Sequence, residues 1–469
     1  MVTNSHHDKE TGLLLTSLFL WELSMGIMAV TISMNWDRPF TLFFASQAGV
    51  IVLLAVGIIG LTTVMIVRQY VTCRRVGSSH FRLTVTMNLI MLAVILLTGE
   101  MAVRLGTSTS PSGVEQWRWR ELVPKTWEKV ALSYRERLDR GSSHLSLTLW
   151  VYDDLMGWTI GPNRESANNR YYSSSEGIRA PQKGVSYAKH TDKTRIALVG
   201  DSFTFAENVA YEDSWGYLLE KELGSEFEVL NFGVGGYGVD QAYLRYEKDV
   251  RQWKPKVVIF AFISDDVERT MLLYYSLSRG EWLVPYSKPR FILRDKDLTK
   301  LNVPPIPPQE LFARGSISEI PYLEYDRGYR PHDWQSSWIH RSYLARAILT
   351  VFSRHEVVTP DISDAALVSV NASILKAFVQ SATSEGSIPL LGYFPESNAE
   401  IDELSRPLPL GKKVLQEVGR EYTDLTPCVE PLNPSERFGK YAHYSPQSNA
   451  RVAQCLSNVV RKALAMPTR

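Results

Sequence analysis

Three long apolar runs crowd the first part of the chain, whereas later runs are short and separated by polar residues. The long runs cover residues 12–34, 40–67 and 83–104. As an α-helix, each is long enough to cross the ~30 Å of hydrocarbon in a bilayer. The first run has no small-residue cleavage site and a second run follows it closely, so it is not a removed signal peptide. The pattern predicts three transmembrane helices within residues 1–106.

Arginines set the orientation of these predicted helices. The loop between the second and third runs carries four of them: Arg68, Arg74, Arg75 and Arg82. Because Lys and Arg accumulate in cytoplasmic loops, this loop and the N-terminus are expected in the cytoplasm. Everything after the third run is then extracytoplasmic. We predict a multi-pass protein of the cell (inner) membrane whose C-terminal part is periplasmic.

Two ionisable residues, Glu22 and Glu100, fall inside the predicted spans. A charge within a span favours a functional role by default. Here we prefer a structural interpretation. Glu22 would face another helix, and Glu100 is close enough to the outer end to reach the interface.

A polar segment, residues 107–149, follows the third span. It begins with TSTSPSG and continues as WRWRELVPKTWEKVALSYRERLDR, which predicts a linker and then an amphipathic juxtamembrane helix. Residues 150–190 are rich in Gly, Asn, Ser and Tyr and are expected to form an extended lead-in rather than core.

The pattern changes at Thr194, where four short β-rich runs recur: RIALVGDS, FEVLNFGVGGYG, KVVIFAFISDD and SIPLLGYFPE. Helical patterns separate the first three. Strands that alternate with helices predict an α/β fold with a parallel sheet covered on both faces. An insert, residues 272–353, precedes the fourth run and forms either a lid over the site or a surface excursion. We assign residues 150–469 to this extracytoplasmic domain.

Composition excludes some functions. The formal net charge is +1 and no basic block with interleaved aromatics occurs, so nucleic acid is not an expected partner. Among nine histidines, only His6 and His7 in the N-terminal tail form a close pair, and no metal site is predicted.

The cysteines fit the predicted topology. Cys73 lies in the cytoplasmic loop, where thiols stay reduced, whereas Cys428 and Cys455 lie in the exported part and can pair there. Two buried free thiols are the alternative, because sequence does not give the distance between their Cα atoms.

The run that ends in Gly-Asp-Ser carries the candidate chemistry. A serine at a strand end is a nucleophile only when a base removes its proton and donors bind the resulting oxyanion. Ser202 occupies that position. Residues 231–238 (NFGVGGYG) follow the second strand, where glycines let backbone N–H groups approach a substrate. His443 precedes the last helical run. This chemistry needs no cofactor.

In this order the motifs resemble the SGNH superfamily of hydrolases, also called GDSL esterases, and a membrane-anchored bacterial subset in particular. The similarity extends to the lead-in GWTIGPNRESANNRYYSSSEGIRAP and covers residues 150–465. It implies a flavodoxin-like three-layer αβα sandwich. It also implies that Ser202 is the nucleophile and an oxyanion donor, that Gly236 is the second donor, and that His443 is the base. Asp201 would fix the turn.

The third motif departs from the family pattern. Where the family has Gly-x-Asn-Asp, this chain has Ile263, Ser264, Asp265 and Asp266. The family's Asn completes the oxyanion hole, and an ionised Asp265 in its place would repel an oxyanion. Either Ser264 takes over as the donor, with Asp266 in support, or the hole has two donors. A lost donor costs ~100- to 1,000-fold in turnover, so loss of fast catalysis is a third possibility.

A second departure lies just before the histidine. The family's Asp is replaced by Lys440 and Tyr441. We therefore expect a Ser-His dyad whose imidazole is held by a backbone carbonyl, with Glu436 and Asp424 as possible replacements for the acid.

The expected function is a membrane-anchored esterase acting on acyl esters of carbohydrate or lipid, with envelope polysaccharide suggested by location. A polysaccharide O-acyltransferase that receives its acyl group from a multi-span partner is one alternative. A non-catalytic component of a polysaccharide assembly machine is another.

Overall fold

The computed structural model describes residues 79–140, 148–351, 359–402, 408–439 and 442–465, with isolated positions before residue 79. The chain divides into two compact units. The N-terminal unit comprises residues 1–129 and 331–355, and the α/β unit comprises residues 130–330 and 356–469. The first two predicted spans lie outside the continuously described ranges.

Fourteen strands and fifteen helices are present in the described residues. The strands are β1 (Thr107–Thr109), β2 (Glu115–Trp117), β3 (Arg120–Glu121), β4 (Trp150–Asp153), β5 (Gly157–Ile160), β6 (Tyr172–Ser173), β7 (Arg179–Ala180), β8 (Thr194–Val199), β9 (Phe227–Asn231), β10 (Val257–Phe262), β11 (Arg290–Arg294), β12 (Asp297–Leu301), β13 (Ile388–Tyr393) and β14 (Thr423–Asp424). The helices are α1 (Ser79–Gly106), α2 (Trp127–Arg140), α3 (Ser202–Phe205), α4 (Trp215–Leu223), α5 (Val239–Arg245), α6 (Ser264–Arg269), α7 (Tyr275–Ser278), α8 (Pro308–Leu311), α9 (Tyr343–Val351), α10 (Asp364–Ser384), α11 (Asn398–Ile401), α12 (Leu410–Val418), α13 (Thr426–Val429), α14 (Pro434–Arg437) and α15 (Pro446–Ala465).

The third predicted span is helical. Helix α1 contains all of residues 83–104, although the structure does not test whether it crosses a membrane. Within the described part of the chain, the helix with the length and apolarity of a span is α10, and half of it is buried. Since α10 packs against α5 and α12, it is a core helix of the α/β unit. Three transmembrane helices are therefore not confirmed.

The segment predicted as a linker contains regular structure. Strands β1, β2 and β3 form an antiparallel sheet in which Thr107 pairs with Trp117 and Gln116 with Glu121. Leu122 follows this sheet and is fully buried. The strands are two or three residues long, too short for the period of alternation to be read from sequence. The predicted helix follows as α2.

The α/β unit has the parallel sheet that the alternating pattern predicts. Its strand order is β14-β13-β10-β8-β9, and every pair is parallel. If these five strands are numbered 1 to 5 along the chain, their order across the sheet from the β9 edge is 2-1-3-4-5. This is the flavodoxin-like arrangement. Such sheets bind ligands where the strand order reverses, beyond the carboxyl ends of β8 and β10.

Alternate residues of each strand enter cores on opposite faces of this sheet. Ile196 and Leu198 of β8 pack with α4 and α15, whereas Ala197 and Val199 pack with α5, α10 and α12. The strands are apolar on both sides because helices cover both faces.

The lead-in, residues 150–190, is not the extended segment that was predicted. It forms two hairpins, β4–β5 and β6–β7, and Trp158 of β5 is fully buried. Trp158 donates from Nε1 to the Gly235 carbonyl at 3.2 Å, and its own carbonyl accepts from the Tyr237 hydroxyl at 2.6 Å. These strands are too short to show a clear alternation of apolar and polar residues, so the sequence did not predict them. The lead-in thus supports the glycine-rich residues 231–238.

The insert divides between the units after residue 330. Its first part belongs to the α/β unit, where Lys288 forms an ion pair with Asp240 of α5 at 2.5 Å with both side chains fully buried. Its second part, which contains α9, belongs to the N-terminal unit.

Candidate active site

The nucleophile turn joins β8 to the short helix α3. A side chain at Gly200 would overlap the Ala261 carbonyl oxygen, so only glycine fits between the two strands here. Asp201 is buried and caps α3, because its Oδ1 accepts from the Phe203 backbone N–H at 2.9 Å. The Ser202 hydroxyl donates to Asp201 Oδ2 at 3.2 Å. Ser202 is 5% exposed and lies where the strand order reverses.

The glycine run, residues 231–238, packs directly on this turn. The Asn231 amide donates to the Thr204 carbonyl at 2.8 Å and accepts from the Gly233 N–H at 2.9 Å. A side chain at Gly233 would overlap the Phe205 backbone nitrogen. The glycine at position 233 is therefore required by the close approach of two backbones.

Gly236 presents a backbone N–H in the same glycine run. Its φ of +75° is a left-handed conformation that favours glycine, and its carbonyl accepts from the Tyr275 hydroxyl at 2.6 Å. Among the described residues, the backbone N–H groups of Ser202 and Gly236 donate to no protein acceptor. Both are free to bind an oxyanion.

Four aromatic side chains, the aromatic wall, surround Gly236: Trp150, Trp158, Tyr275 and Trp282. The Trp158 ring lies 5.7 Å from Trp150 and 5.5 Å from Tyr275, and Tyr275 lies 5.8 Å from Trp282, between ring centroids. Trp150 and Trp282 are only half-buried, so the wall has accessible apolar surface at the site.

Asp265 does not take the role of an oxyanion donor. Its carboxylate forms ion pairs with Arg269, at 2.9 Å, and with Arg279 of the insert. Burial raises the pKa of Asp265, but the two guanidiniums more than offset it and hold the pKa below its usual range. Asp265 is therefore ionised and accepts hydrogen bonds rather than donating them.

Ser264 does not replace that donor. Its hydroxyl donates to Glu400 Oε1 at 3.1 Å, lies 3.1 Å from the Tyr393 hydroxyl and accepts from the Gly411 N–H at 3.2 Å. Among the alternatives raised by the sequence, this arrangement favours an oxyanion hole with two donors.

Arg269 is the centre of a buried charge cluster that sequence reasoning missed. Its Nη1 donates to Asp201 at 3.1 Å, to Asp266 at 2.6 Å and to the Tyr237 carbonyl at 3.2 Å. Burial, together with the charge of Asp201, raises the pKa of Asp266 well above its usual value. The spacing of Asp265, Asp266 and Arg269 in the sequence indicated this cluster, because residues three and four apart on a helix share a face. Arg269 thereby connects the nucleophile turn to the third motif.

Glu396, just after β13, was also missed. Its carboxylate accepts from the Asp265 backbone N–H at 3.2 Å. Burial, and then the neighbouring charges of Glu400 and Asp265, raise the pKa of Glu396 to about 8. The sequence places Glu396 shortly after a predicted parallel strand, and the carboxyl ends of such strands meet at one edge of the sheet. This position could have identified Glu396 as a candidate site residue.

His443 lies beside the nucleophile turn. Its ring packs on Phe203 with centroids 5.1 Å apart, its Nδ1 lies 3.0 Å from Asn208 Nδ2, and its Nε2 lies 3.9 Å from Glu207 Oε2. Within the described residues Ser202 and His443 share no direct hydrogen bond, because the serine hydroxyl faces Asp201. The structure brings Ser202 and His443, the predicted nucleophile and base, into one site without direct contact.

Asn208 is held firmly for this contact. Its N–H donates to the Tyr171 hydroxyl at 2.7 Å, its carbonyl accepts from Arg170 at 3.1 Å, and its φ is +73°. Asn tolerates the left-handed region better than most residues. The lead-in sequence NNRYY, which supplies both partners, was visible in the sequence, but its link to residue 208 was not.

The carboxylates considered as replacements for the missing acid have other partners. Glu436 accepts from Asn433 at 2.9 Å, and Asp424 pairs with Lys412 at 2.8 Å. Glu207, rather than either of these, is the carboxylate that faces His443.

Cys428 and Cys455 form a disulfide with Cα atoms 6.3 Å apart. It joins α13 to α15, a few residues from the segment that carries His443. The alternative of two free thiols does not apply.

Comparisons with known proteins give one curated relative and several solved structures. No family model matches the chain. A stretch of 76 residues is 32% identical to the "Uncharacterized lipoprotein YqeF" of Bacillus subtilis (strain 168), covering 15% of this chain and 31% of that protein. The chain thus spans less than a third of this relative.

The similar structures share little sequence. A protein assigned to the lipolytic G-D-S-L family from Desulfitobacterium hafniense DCB-2 matches at 16% identity, covering 57% of this chain and 99% of its own, with a TM-score of 0.30. A lipase/acylhydrolase from Enterococcus faecalis matches at 14% identity (59% and 98% covered, TM-score 0.30). An acetylxylan esterase from Geobacillus stearothermophilus matches at 13% identity (60% and 100% covered, TM-score 0.31). These structures are GDSL-type esterases and acylhydrolases.

Proposed function

We propose that this chain is a membrane-anchored serine esterase of the SGNH type, with its active site outside the cytoplasm. The observation that carries the proposal is the pair of free backbone N–H groups, on Ser202 and Gly236, beside a serine at the reversal point of a parallel sheet. Two fixed donors next to a nucleophile are the arrangement that stabilises the oxyanion in acyl transfer.

In the proposed mechanism, Ser202 Oγ attacks the ester carbonyl carbon while His443 takes the hydroxyl proton. The oxyanion accepts from the N–H groups of Ser202 and Gly236. Collapse breaks the ester C–O bond, the leaving alcohol takes the proton from His443, and water then hydrolyses the acyl-enzyme by the same steps. The hydroxyl must first turn from Asp201 to His443. Asp201 keeps its bonds to Phe203 and Arg269 when this happens.

Asn208 is proposed as the residue that orients the base. An amide can present its oxygen or its nitrogen, and the oxygen would accept a hydrogen bond from the Nδ1–H of His443. This tautomer leaves Nε2 unprotonated, as a general base requires. Asn208 then takes the place of the family's missing Asp.

Glu207 is proposed to stabilise the imidazolium that forms during attack. Its carboxylate lies 3.9 Å from His443 Nε2, and an added side chain at Gly235 would lie 2.5 Å from Glu207 Oε1. The carboxylate is therefore between the base and the glycine run.

The third motif sets an upper limit on the rate. Arg269 and Arg279 neutralise Asp265, which reduces its repulsion of an oxyanion but supplies no third donor. With two donors, turnover below that of a three-donor site by ~100-fold is expected.

Location and substrate class rest on separate arguments. The Cys428–Cys455 disulfide fits an oxidising compartment, and α1 is the predicted span that would precede an extracytoplasmic domain. The name of the B. subtilis relative, a lipoprotein, fits membrane association. The half-buried ring of Trp150 offers an apolar face next to Gly236, which suits the C–H face of a sugar ring. Acylated envelope polysaccharide is the substrate class we propose.

One observation favours a non-catalytic role instead. Asp265, doubly paired and ionised, stands where the family has an oxyanion donor. A polysaccharide-binding component of an assembly machine could retain the fold and tolerate this change.

A fluorophosphonate probe tests the proposal on the full-length chain in detergent. The native protein and Ser457→Ala, a change at a buried serine of α15 far along the chain from the site, are expected to react with the probe. Ser202→Ala and His443→Ala are expected not to react. Release of acyl groups to water or to an added sugar acceptor then separates esterase from transferase. A folded native protein that does not react would favour the binding role.

A further inference from the structure

Helix α9, in the second part of the insert, is attached to α1 by a partly buried cap. The Glu100 carboxylate accepts from the Ser342 hydroxyl at 2.8 Å and from the N–H groups of Tyr343 and Leu344 at 3.0 and 2.9 Å. Arg104, one turn later on α1, pairs with Glu100 at 3.1 Å and lies over the Tyr343 ring. The start of α9 is therefore fixed at the level of Glu100.

The two helices also pack closely. A side chain at Gly99 would lie 3.2 Å from Leu344 Cδ2, so glycine permits this approach. Small residues at helix contacts of this kind are typical of helices that associate within a membrane.

The position of Glu100 along α1 gives the depth of α9. Glu100 precedes the last residue of α1, Gly106, by six residues, which is about 9 Å of helix rise. Amphipathic helices that lie in a membrane surface bury their apolar face ~5–10 Å into the boundary between headgroups and acyl chains. If α1 spans the bilayer, α9 begins at this depth.

The two sides of α9 differ as such a helix requires. On one side Arg346 is buried, pairs with Glu115 at 2.5 Å and donates to the Val123 carbonyl at 2.9 Å. On the other side Ile348 is 49% exposed, and Leu349, at the margin between the two sides, is 36% exposed. The buried charge of α9, on Arg346, thus has its partners within the N-terminal unit, while the apolar side chains on the opposite side are exposed.

The residues before α9 add an interfacial anchor. Trp338 is 81% exposed and Ile339 is exposed beside it, in the turn Trp338–Arg341 that leads into the helix. Tryptophan is enriched where membrane meets water, because its ring is apolar and its N–H is polar. A water-exposed surface gives no reason for this composition, whereas a lipid surface does.

We propose that residues 338–351 lie in the outer interface of the bilayer, with Trp338, Ile348 and Leu349 facing lipid. This proposal rests on the membrane anchoring in the proposed function, and it adds a second attachment, contributed by the insert of the α/β domain. The partner is the lipid bilayer rather than a protein, because the cap at Glu100 sets the helix at membrane depth.

Depth-dependent fluorescence quenching tests the proposal. The full-length chain carrying Cys73→Ser is placed in lipid nanodiscs, and single cysteines are labelled with an environment-sensitive fluorophore at Leu97, Ile348 or Thr109. Leu97 of α1 is 63% exposed, and Thr109 is exposed just beyond the end of α1. Lipids carry a quencher at shallow or deep acyl positions. We expect deep quenching for Leu97→Cys, shallow quenching for Ile348→Cys and little for Thr109→Cys.

The outcomes separate the two proposals. Quenching at Leu97 without quenching at Ile348 overturns the interfacial helix and leaves the anchoring intact. No quenching at either position contradicts the anchoring itself. Energy transfer between labelled copies at Ile348, in place of lipid quenching, would show that a second copy covers this face and would also overturn the proposal. Glu100→Gln, which weakens the cap, is expected to reduce shallow quenching at Ile348 at least twofold and to leave quenching at Leu97 unchanged.

Discussion

The two sides of the candidate site are built by different means. On the nucleophile side, Ser202 and Gly236 are positioned by backbone contacts that only glycine permits, at positions 200 and 233. On the side of the third motif, Asp265 is positioned by ion pairs with Arg269 and Arg279 and by Glu396. The first side is fixed by sterics and the second by electrostatics.

This difference determines which side can accommodate a change of residue. A backbone contact cannot be restored by distant residues, so positions 200 and 233 require glycine. A charge can be compensated from elsewhere in the chain, and here Arg279 reaches Asp265 from the insert. The carboxylate at position 265 is therefore balanced by neighbours from outside the third motif.

Removal of Arg269, the centre of the charged side, should have the largest effect on stability. Arg269→Met leaves Asp201, Asp265 and Asp266 without their shared cation in a buried site. Breaking a buried ion pair by removing one partner costs about 3–5 kcal/mol. We expect a loss of this size in the free energy of unfolding, measured by urea denaturation of the full-length chain. Arg251→Met, which removes an exposed pair with Glu247, is the control and should change stability little. Equal effects of the two changes would contradict the cluster.

Glu396 should give this side a pH dependence. Its pKa in the folded chain is about 8, above the 4.5 of an ordinary Glu, so the folded state binds the extra proton between these values. Stability therefore falls as pH rises through this window, by about 2–4 kcal/mol in total. Glu396→Gln should remove most of this slope in denaturation measured from pH 5 to pH 8. Glu268→Gln, at an exposed position on α6, should leave the slope intact, and an unchanged slope in Glu396→Gln would rule out this assignment.

Sequence reasoning succeeded where periodicity and local motifs carry the information. The buried runs around Ala197 and Ile259 predicted the parallel sheet, and the GDS turn predicted where Ser202 lies. It failed where partners are distant in the chain. Arg279, Glu396 and Asn208 meet their partners only after folding, and β1–β3 are too short to show a period. Pairing of charges across such separations depends on tertiary structure, which composition and spacing do not contain.

Gly233 tests the steric side. Gly233→Ala places a side chain onto the Phe205 backbone nitrogen, so the glycine run or the nucleophile turn must move. Overpacking of a tight contact costs about 1–3 kcal/mol, and we expect the upper part of that range here because backbone atoms cannot rotate away. Thermal unfolding and fluorophosphonate labelling should both decline. Gly315→Ala is the matched control, because its added side chain would lie at an ordinary 3.6 Å from Glu319. A neutral Gly233→Ala would show that the two backbones are not in close contact.

Asn208 tests how the base is held. Asn208→Ala removes the side chain that contacts His443 Nδ1 and should lower kcat about 20-fold with KM unchanged, less than the ~100- to 10,000-fold of general-base catalysis because His443 itself remains. Asn208→Asp, which places a carboxylate beside Nδ1, should restore activity and move the acidic limb of the pH profile to higher pH, because a carboxylate stabilises the protonated form of the base. A purely structural role predicts equal losses in both variants and an unmoved profile.

Asp265 gives the smallest and most informative change. Asp265→Asn replaces an ionised acceptor by an amide whose oxygen can still accept from Arg269 or Arg279, while its NH₂ can donate to an oxyanion. A fixed oxyanion donor contributes ~100- to 1,000-fold. Because Arg269 and Arg279 are positioned to bind a carboxylate and will hold part of the new amide, we expect only about a tenfold gain in esterase turnover, below the range for a fixed donor. Asp265→Ala is the control for loss of charge alone and should gain less. A fall in turnover for Asp265→Asn, with the fold intact by circular dichroism, would mean that the carboxylate orients Arg279 toward the substrate and that the charged side of the site serves binding rather than catalysis.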